Sequence, residues 1–355
     1  MNFVEHSQMA DDNTSIAGGK PVVVRERQPF LGGVGLSLGP EGTSGDWQIG
    51  IDTAIGFLNR IGEFLRGDVA PALLGLPYPT RLQIAGCEPF SAPDDLDNLL
   101  TAALVNGMRA EVTTHISWVE SYDHALALLT RFKDKIHPLS VFVTQRHIET
   151  YGLSALANLA EAVRSLRMNI NINCGMTPGS PFPKAILSLA ALNSHTTVIR
   201  SFPVFSQAEL SDPSPSIAQF LLPEPPIRRR CSDAMGLLIS PQGEVYPCSR
   251  GFGLESLRLG NLNTDSVEDM VRFAISSHFL RKLHREGPYF LYQACKSSRA
   301  GCFLRDGYID ACDFHRHAMT EPHLRAVVSD AELQLKSESQ RHELVAQPLV
   351  SVRPR

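Results

Sequence analysis

The stretch Arg81–Gly107, RLQIAGCEPFSAPDDLDNLLTAALVNG, decides the fold. Its first five residues alternate in hydropathy and read as a strand running into a turn at Gly86-Cys87-Glu88-Pro89. Ser91 and Pro93 then open a helix that carries Leu96, Leu99, Leu100, Ala103 and Leu104 on one face, and Gly107 stops it. A strand followed by an amphipathic helix is half of a crossover unit. When the unit recurs, the result is a parallel sheet with right-handed connections.

It recurs on both sides. Val22–Val24 and Val34–Leu38 read as strands, followed by a helical pattern with Ile51, Ile55, Leu58 and Leu65 inward. Short buried strands are expected at Met108–Thr114, Leu139–Thr144, Met168–Asn173 and Thr197–Phe202. Helical patterns separate them near Tyr122–Phe132, Leu153–Leu166 and Pro183–Leu192. Five or six such units make an α/β fold, read as an open or partial barrel with its ligand site at the C-terminal strand ends. A doubly wound sheet is the alternative.

Residues 1–20 and 326–355 read as polar or charged tails around a body that starts at residue 21. Residues 211–228 are rich in Pro and Ser and read as a linker between a first domain, 21–210, and a second, 229–325. The 355 residues, 43% of them hydrophobic and 20% charged, suffice for a sizeable core. A net charge of −4 gives no bulk reason to expect nucleic acid as partner. The absence of a long apolar stretch, and of a basic-then-apolar start, gives the expectation of a cytoplasmic protein with no membrane partner.

In that compartment thiols stay reduced. Of the seven cysteines, Cys87 and Cys174 precede the linker, and Cys231, Cys248, Cys295, Cys302 and Cys312 follow it. Soft thiolates at this density suit an iron–sulfur cluster or zinc, the latter with help from His315 or His317. Buried, inert cysteines packing a small subdomain are the plainer alternative. After Cys231, Gly236–Ile239 reads as a strand, Pro241–Gly243 as a turn and Glu244–Pro247 as a second strand leading to Cys248. Arg228-Arg229-Arg230 beside them reads as a solvated linker, or as positive charge to offset a thiolate-bound cluster.

The Gly243-Glu-Val-Tyr-Pro-Cys248 hairpin, the Leu259-Gly-Asn-Leu262 step, the helix start at Ser266–Met270 and the later cysteines resemble a SPASM domain over about Cys231–His317. The family's Cys-x-x-Cys step is broken here, with Ser298 standing where a partner of Cys295 is expected. The resemblance therefore implies one 4Fe–4S cluster at most, drawn from Cys231, Cys248, Cys295, Cys302 and Cys312. Gly86-Cys87-Glu88-Pro89 resembles the Gly-Gly-Glu-Pro motif of radical S-adenosylmethionine (SAM) proteins, and the order of elements extends that resemblance over roughly Gly33–Phe205. In that family the motif receives the amino group of SAM, which makes Gly86, Cys87, Glu88 and Pro89 a candidate cofactor site. Alone, the tetrapeptide reads more readily as a strand-to-loop turn.

The family also places Cys-x-x-x-Cys-x-x-Cys in the loop after the first barrel strand, to hold the cluster that reduces SAM. Here that loop reads Gly39-Pro-Glu-Gly-Thr-Ser-Gly-Asp46, and no cysteine precedes Cys87. Its glycines fit no phosphate-binding pattern with a following Lys-Ser/Thr pair. The expectation is a radical-SAM-like protein without the radical-generating site, acting as an accessory or substrate-binding protein in peptide or natural-product modification. Its partner would be a peptide substrate or an intact radical SAM enzyme. The alternatives are an enzyme that binds SAM or another small molecule and uses one auxiliary cluster for electron transfer, and a zinc-stabilised interaction module.

Overall fold

The computed structural model describes residues 33–39, 47–74, 80–176, 197–203, 221, 236–248, 251–308 and 311–346. The expected strand at Val22–Val24, the helical pattern at Pro183–Leu192, the body of the 211–228 linker, the Arg228–Arg230 run and Cys231 lie outside the described residues.

Six parallel strands form the body: β1 (Val34–Ser37), β2 (Thr80–Ala85), β3 (Met108–Thr114), β4 (Ile136–Thr144), β5 (Ile170–Met176) and β6 (Thr197–Pro203). Between them run α1 (Ile51–Arg66), α2 (Val69–Leu74), α3 (Pro93–Val105), α4 (Tyr122–Thr130), α5 (Gln145–Tyr151) and α6 (Leu153–Ser165). The strands lie side by side in chain order. Right-handed crossovers that always step the same way put every helix on one face, whereas a doubly wound sheet must reverse direction from a central strand. The order therefore decides for the partial barrel over the doubly wound alternative.

The two faces differ accordingly. Leu36, Ile84, Val112, Leu139 and Ile170 are aligned by strand register into one row across five strands, and none is more than 2% exposed. Each such side chain contributes about 1.5–3 kcal/mol of burial. The opposite face carries Gln83, Glu111, Thr113, Ser140, Asn171 and Asn173 in the alternate positions.

In α3, Pro93 stands in the first turn with Asp94 and Asp95, which favour the positive end of the helix dipole. Leu96, Leu99, Leu100 and Ala103 are buried as the periodicity predicts, and Gly107 follows with a φ of 70°. Ser91 does not cap this helix. It ends a short 3₁₀ turn, Pro89–Ser91, and its hydroxyl donates to the Glu88 carbonyl at 2.8 Å. The close approach of α1 to α3 is set at Gly62, where a methyl group would collide with the Asn106 side chain. Asn106 is 2% exposed; its amide donates to Asn59 and to the Ala102 carbonyl, and its oxygen accepts from Arg66.

The C-terminal part continues the same sheet. The expected hairpin is β7 (Leu237–Ile239) and β8 (Glu244–Tyr246), turned at Gly243 with a φ of 82°. β7 pairs in parallel with β1, and a short β9 (Gly260–Asn261) pairs with β8, so among the described residues the sheet has nine strands in the order β6-β5-β4-β3-β2-β1-β7-β8-β9. Beyond it come α7 (Val267–Ser276), α8 (His278–Glu286), α9 (Tyr289–Ser297), α10 (Ala311–Thr320) and α11 (Pro322–Ala346). Ser266 caps α7 by accepting from the Asp269 N–H at 3.0 Å.

The tail expected from Ala326 is helical as far as Ala346. Leu324 and Val328 are fully buried, and Ala331 and Leu335 pack against the same core at helical spacing. A narrow apolar stripe within a charged sequence docks this helix where composition alone suggests a tail. Among the described residues no helix is long and apolar enough to cross a membrane.

Candidate functional site

The C-terminal ends of the parallel strands are where this architecture builds ligand sites. There the turn after β2 meets the end of β1. Leu38 N–H donates to the Ala85 carbonyl at 2.8 Å, and Gly86, at a φ of 116°, faces the backbone of Gly39 so closely that a side chain there would collide with it. Cys87 is 0% exposed, with its sulfur against Gly39, and Pro89 is buried at the head of the 3₁₀ turn. The space beside Gly86 is thus filled by the protein's own chain.

Glu88 is 3% exposed, and its carboxylate is held within the protein. Oε1 accepts from the Phe90 N–H at 3.0 Å and from the Thr114 hydroxyl at 2.6 Å. Oε2 accepts from the His115 N–H at 2.9 Å and lies 3.5 Å from His115 Nδ1. Trp118 Nε1 donates in turn to Thr114 Oγ1 at 2.8 Å, and its ring stacks on Phe90 with 4.5 Å between centroids. Three hydrogen bonds and the nearby imidazole occupy most of the carboxylate's roughly four acceptor sites.

Beside this clamp, the rings of His115 and His147 lie 5.0 Å apart. His147 occupies the third position of α5 and completes a capping box with Thr144: Thr144 N–H donates to His147 Nδ1 at 3.1 Å, and His147 N–H donates to Thr144 Oγ1 at 3.4 Å. Accepting at Nδ1 puts the proton of the neutral ring on Nε2. Burial first, then the charges of His115 and Arg146, hold the His147 pKa below its ordinary value, against a smaller opposing pull from Glu88. In His115, Nδ1 faces the Glu88 carboxylate, which favours a proton on that nitrogen. The two rings set imidazole nitrogens side by side at the strand ends, able to hydrogen-bond a polar group. Sequence reasoning missed His147 and α5; Thr144-x-x-His147 was their signal.

A second polar feature crosses the open face. Glu111 on β3, 5% exposed, receives Arg81 from β2 and the Ser140 hydroxyl from β4 in short hydrogen bonds, and Asn171 on β5 donates to Ser140 at 3.4 Å. The alternation Arg109, Glu111, Thr113 within an otherwise apolar strand is the sequence signal of this face.

The cysteines are spread over several elements. Cys248 follows β8, Cys295 is fully buried on α9, Cys302 is exposed in a 3₁₀ turn with its thiol 3.3 Å from the Arg299 carbonyl, and Cys312 stands in the first turn of α10. Burial pushes the Cys295 thiol up to about 11, which disfavours the thiolate that a metal needs. Ser298 serves as a cap: its hydroxyl accepts from the Ala300 N–H at 3.0 Å and donates to the Cys295 carbonyl at 2.8 Å. Among the described residues no three His, Cys, Asp or Glu side chains are gathered so as to hold a metal ion. Cys231, the fifth cysteine of the expected set, lies outside the described residues. Of the two histidines expected to assist zinc, His317 Nδ1 is 2.9 Å from the Tyr308 hydroxyl, and His315 is packed inside α10 with its Nε2 unpartnered among the described residues.

No protein-family model and no curated protein matches the chain. Among solved structures the chain is similar to SuiB of Streptococcus suis, with 10% identity and a TM-score of 0.38, over 68% of this chain and 66% of that one. The chain thus spans slightly under two thirds of the length of SuiB. A likeness at that score carries no weight, and the fold stands on its own strand order: a partial α/β barrel whose sheet is mostly parallel.

Proposed function

We propose that this chain is a binding protein built on a radical-SAM-like partial barrel, which takes up a peptide or a partner enzyme and does not itself generate a radical. The observation that carries the reading is the engagement of the buried Glu88 carboxylate by hydrogen bonds from Phe90, Thr114 and His115. A carboxylate so engaged supports the strand-to-loop role of Gly86-Cys87-Glu88-Pro89 over a role in holding SAM. The backbone of Gly39 against Gly86 adds to this, and so does the absence of cysteine before Cys87.

The positive part of the reading rests on the open face of the sheet. Polar side chains alternate across β2 to β5, where the Thr113 hydroxyl has no partner among the described residues, and with the His115–His147 pair at the strand ends they suit a ligand with many amide groups. The reading draws on no metal cluster. Equilibrium titration of the anaerobically reconstituted protein with SAM tests it. No saturable binding is expected; saturable binding abolished by Glu88→Gln would overturn the reading.

A further inference from the structure

A cavity of about 760 Å³ lies at the opposite end of the sheet from Glu88, where β3, β4, β5 and β6 begin. Its volume is within the range of small-molecule sites, about 300–1,000 Å³. Its walls carry an exposed cation, Arg109 on β3, and an exposed anion, Asp134, in the turn before β4. Neither has an ion-pair or side-chain hydrogen-bond partner among the described residues. Lys135, also in the wall, is different: its ammonium is held by Asp97 at 2.6 Å and by Thr101 at 2.9 Å, so it adds no unmatched charge.

Of the remaining walls, His137, exposed, and Pro138 come from the start of β4, and the rest are of two kinds. Asn169 and Asn171, two residues apart, supply amide groups that both donate and accept. Leu104, at the end of α3, and Val198, on β6, are apolar side chains left 45% and 44% exposed. One unmatched charge of each sign, amide groups and an apolar surface in one cavity match a molecule that is itself dipolar, amide-bearing and partly apolar.

We propose that this cavity binds a zwitterion of the amino-acid type, an amino acid or short peptide with free ends. Its carboxylate pairs with Arg109, its ammonium with Asp134, and its apolar side chain lies on Leu104 and Val198. Arg109 suits the carboxylate because the guanidinium presents two parallel N–H groups to its two oxygens. The site lies apart from Gly86–Pro89 and includes no cysteine, so its test is independent of whether SAM or iron binds.

Isothermal titration of the full chain with leucyl-leucine, N-acetyl-leucine, leucinamide and N-acetyl-leucinamide decides the matter. The first carries both charges, the next two one each, and the last none. Saturable binding of leucyl-leucine is expected, weakened about tenfold or more for each blocked end, since a charge-assisted hydrogen bond is worth about that factor. Arg109→Gln and Asp134→Asn, both exposed positions, should each weaken leucyl-leucine by a similar factor. Arg109→Gln should leave leucinamide binding unchanged. The proposal is overturned if leucyl-leucine fails to bind the folded protein, if N-acetyl-leucinamide binds equally well, or if neither substitution alters the affinity.

Discussion

Glu88, in the turn after β2, and Thr114, the last residue of β3, are joined by a hydrogen bond of 2.6 Å in the interior of the protein. The bond ties the ends of two adjacent strands together, and it makes a motif that resembles a ligand cradle into an internal brace. Glu88→Ala would leave the N–H groups of Phe90 and His115 without acceptors, while the Thr114 hydroxyl turns to the His115 carbonyl 3.0 Å away, a loss of about 2–5 kcal/mol. Glu88→Gln, which keeps one acceptor oxygen, should cost about 1–2 kcal/mol. Urea unfolding without any ligand present checks this. An unchanged midpoint for Glu88→Ala would show that the bond braces nothing.

The contact of α1 with α3 makes a prediction opposite in sign to helix propensity. Gly62→Ala in an exposed helix would gain about 1 kcal/mol. Here the added methyl meets Asn106, whose side chain is fixed by Asn59, Arg66 and the Ala102 carbonyl. A net loss of about 1–3 kcal/mol is expected from overpacking, read as a lowered urea midpoint. A stabilised variant would contradict the packing described.

His315 is a source of acid sensitivity. Burial, with a smaller push from the charge of Arg316, lowers its pKa from 6.5 to about 4. Between those values the unfolded chain binds the proton and the folded chain does not, so stability present above pH 6.5 is lost as pH falls towards 4. The full loss is about 3 kcal/mol. His315→Leu should flatten that part of the stability curve between pH 7 and 4. An equally steep fall in the variant would show that other groups, among them His147, dominate.

Thiol reactivity should separate the cysteines. Cys302 is exposed, whereas Cys174 and Cys295 are buried with thiols pushed up to about 11. Alkylation at pH 8 followed by peptide mapping should label Cys302 first and leave Cys174 and Cys295 unlabelled until the protein unfolds. Loading with iron and sulfide tests the expected set of Cys231, Cys248, Cys295, Cys302 and Cys312 in the same assay. Iron bound in stoichiometric amount together with loss of Cys302 labelling would show a cluster, and unaltered labelling without bound iron would exclude one there.

The sequence carried the fold wherever one local rule governed an element. Period-two and helical spacing located β1 to β6, α1, α3, α4 and α6, and Pro241–Gly243 located the β7–β8 turn. Those signals depend on neighbours a few residues apart. The pairing of β7 with β1, some two hundred residues away, has no such signal, because register between distant strands is set by tertiary packing. The strand β4 begins earlier than its pattern suggests, since Pro138 argues against a strand interior. At the site, Gly86–Pro89 is legible as a turn, but the direction of the Glu88 carboxylate is not. It depends on Thr114 and His115, whose approach is created only by the parallel pairing of β2 with β3.

The central claim, that the barrel binds without generating a radical, is tested most directly by chromatographic analysis of SAM after anaerobic incubation with reconstituted protein and a strong reductant. Intact SAM at the level of a protein-free control is the expected result. Turnover-dependent cleavage of SAM that requires this protein and is lost with Glu88→Gln would contradict it.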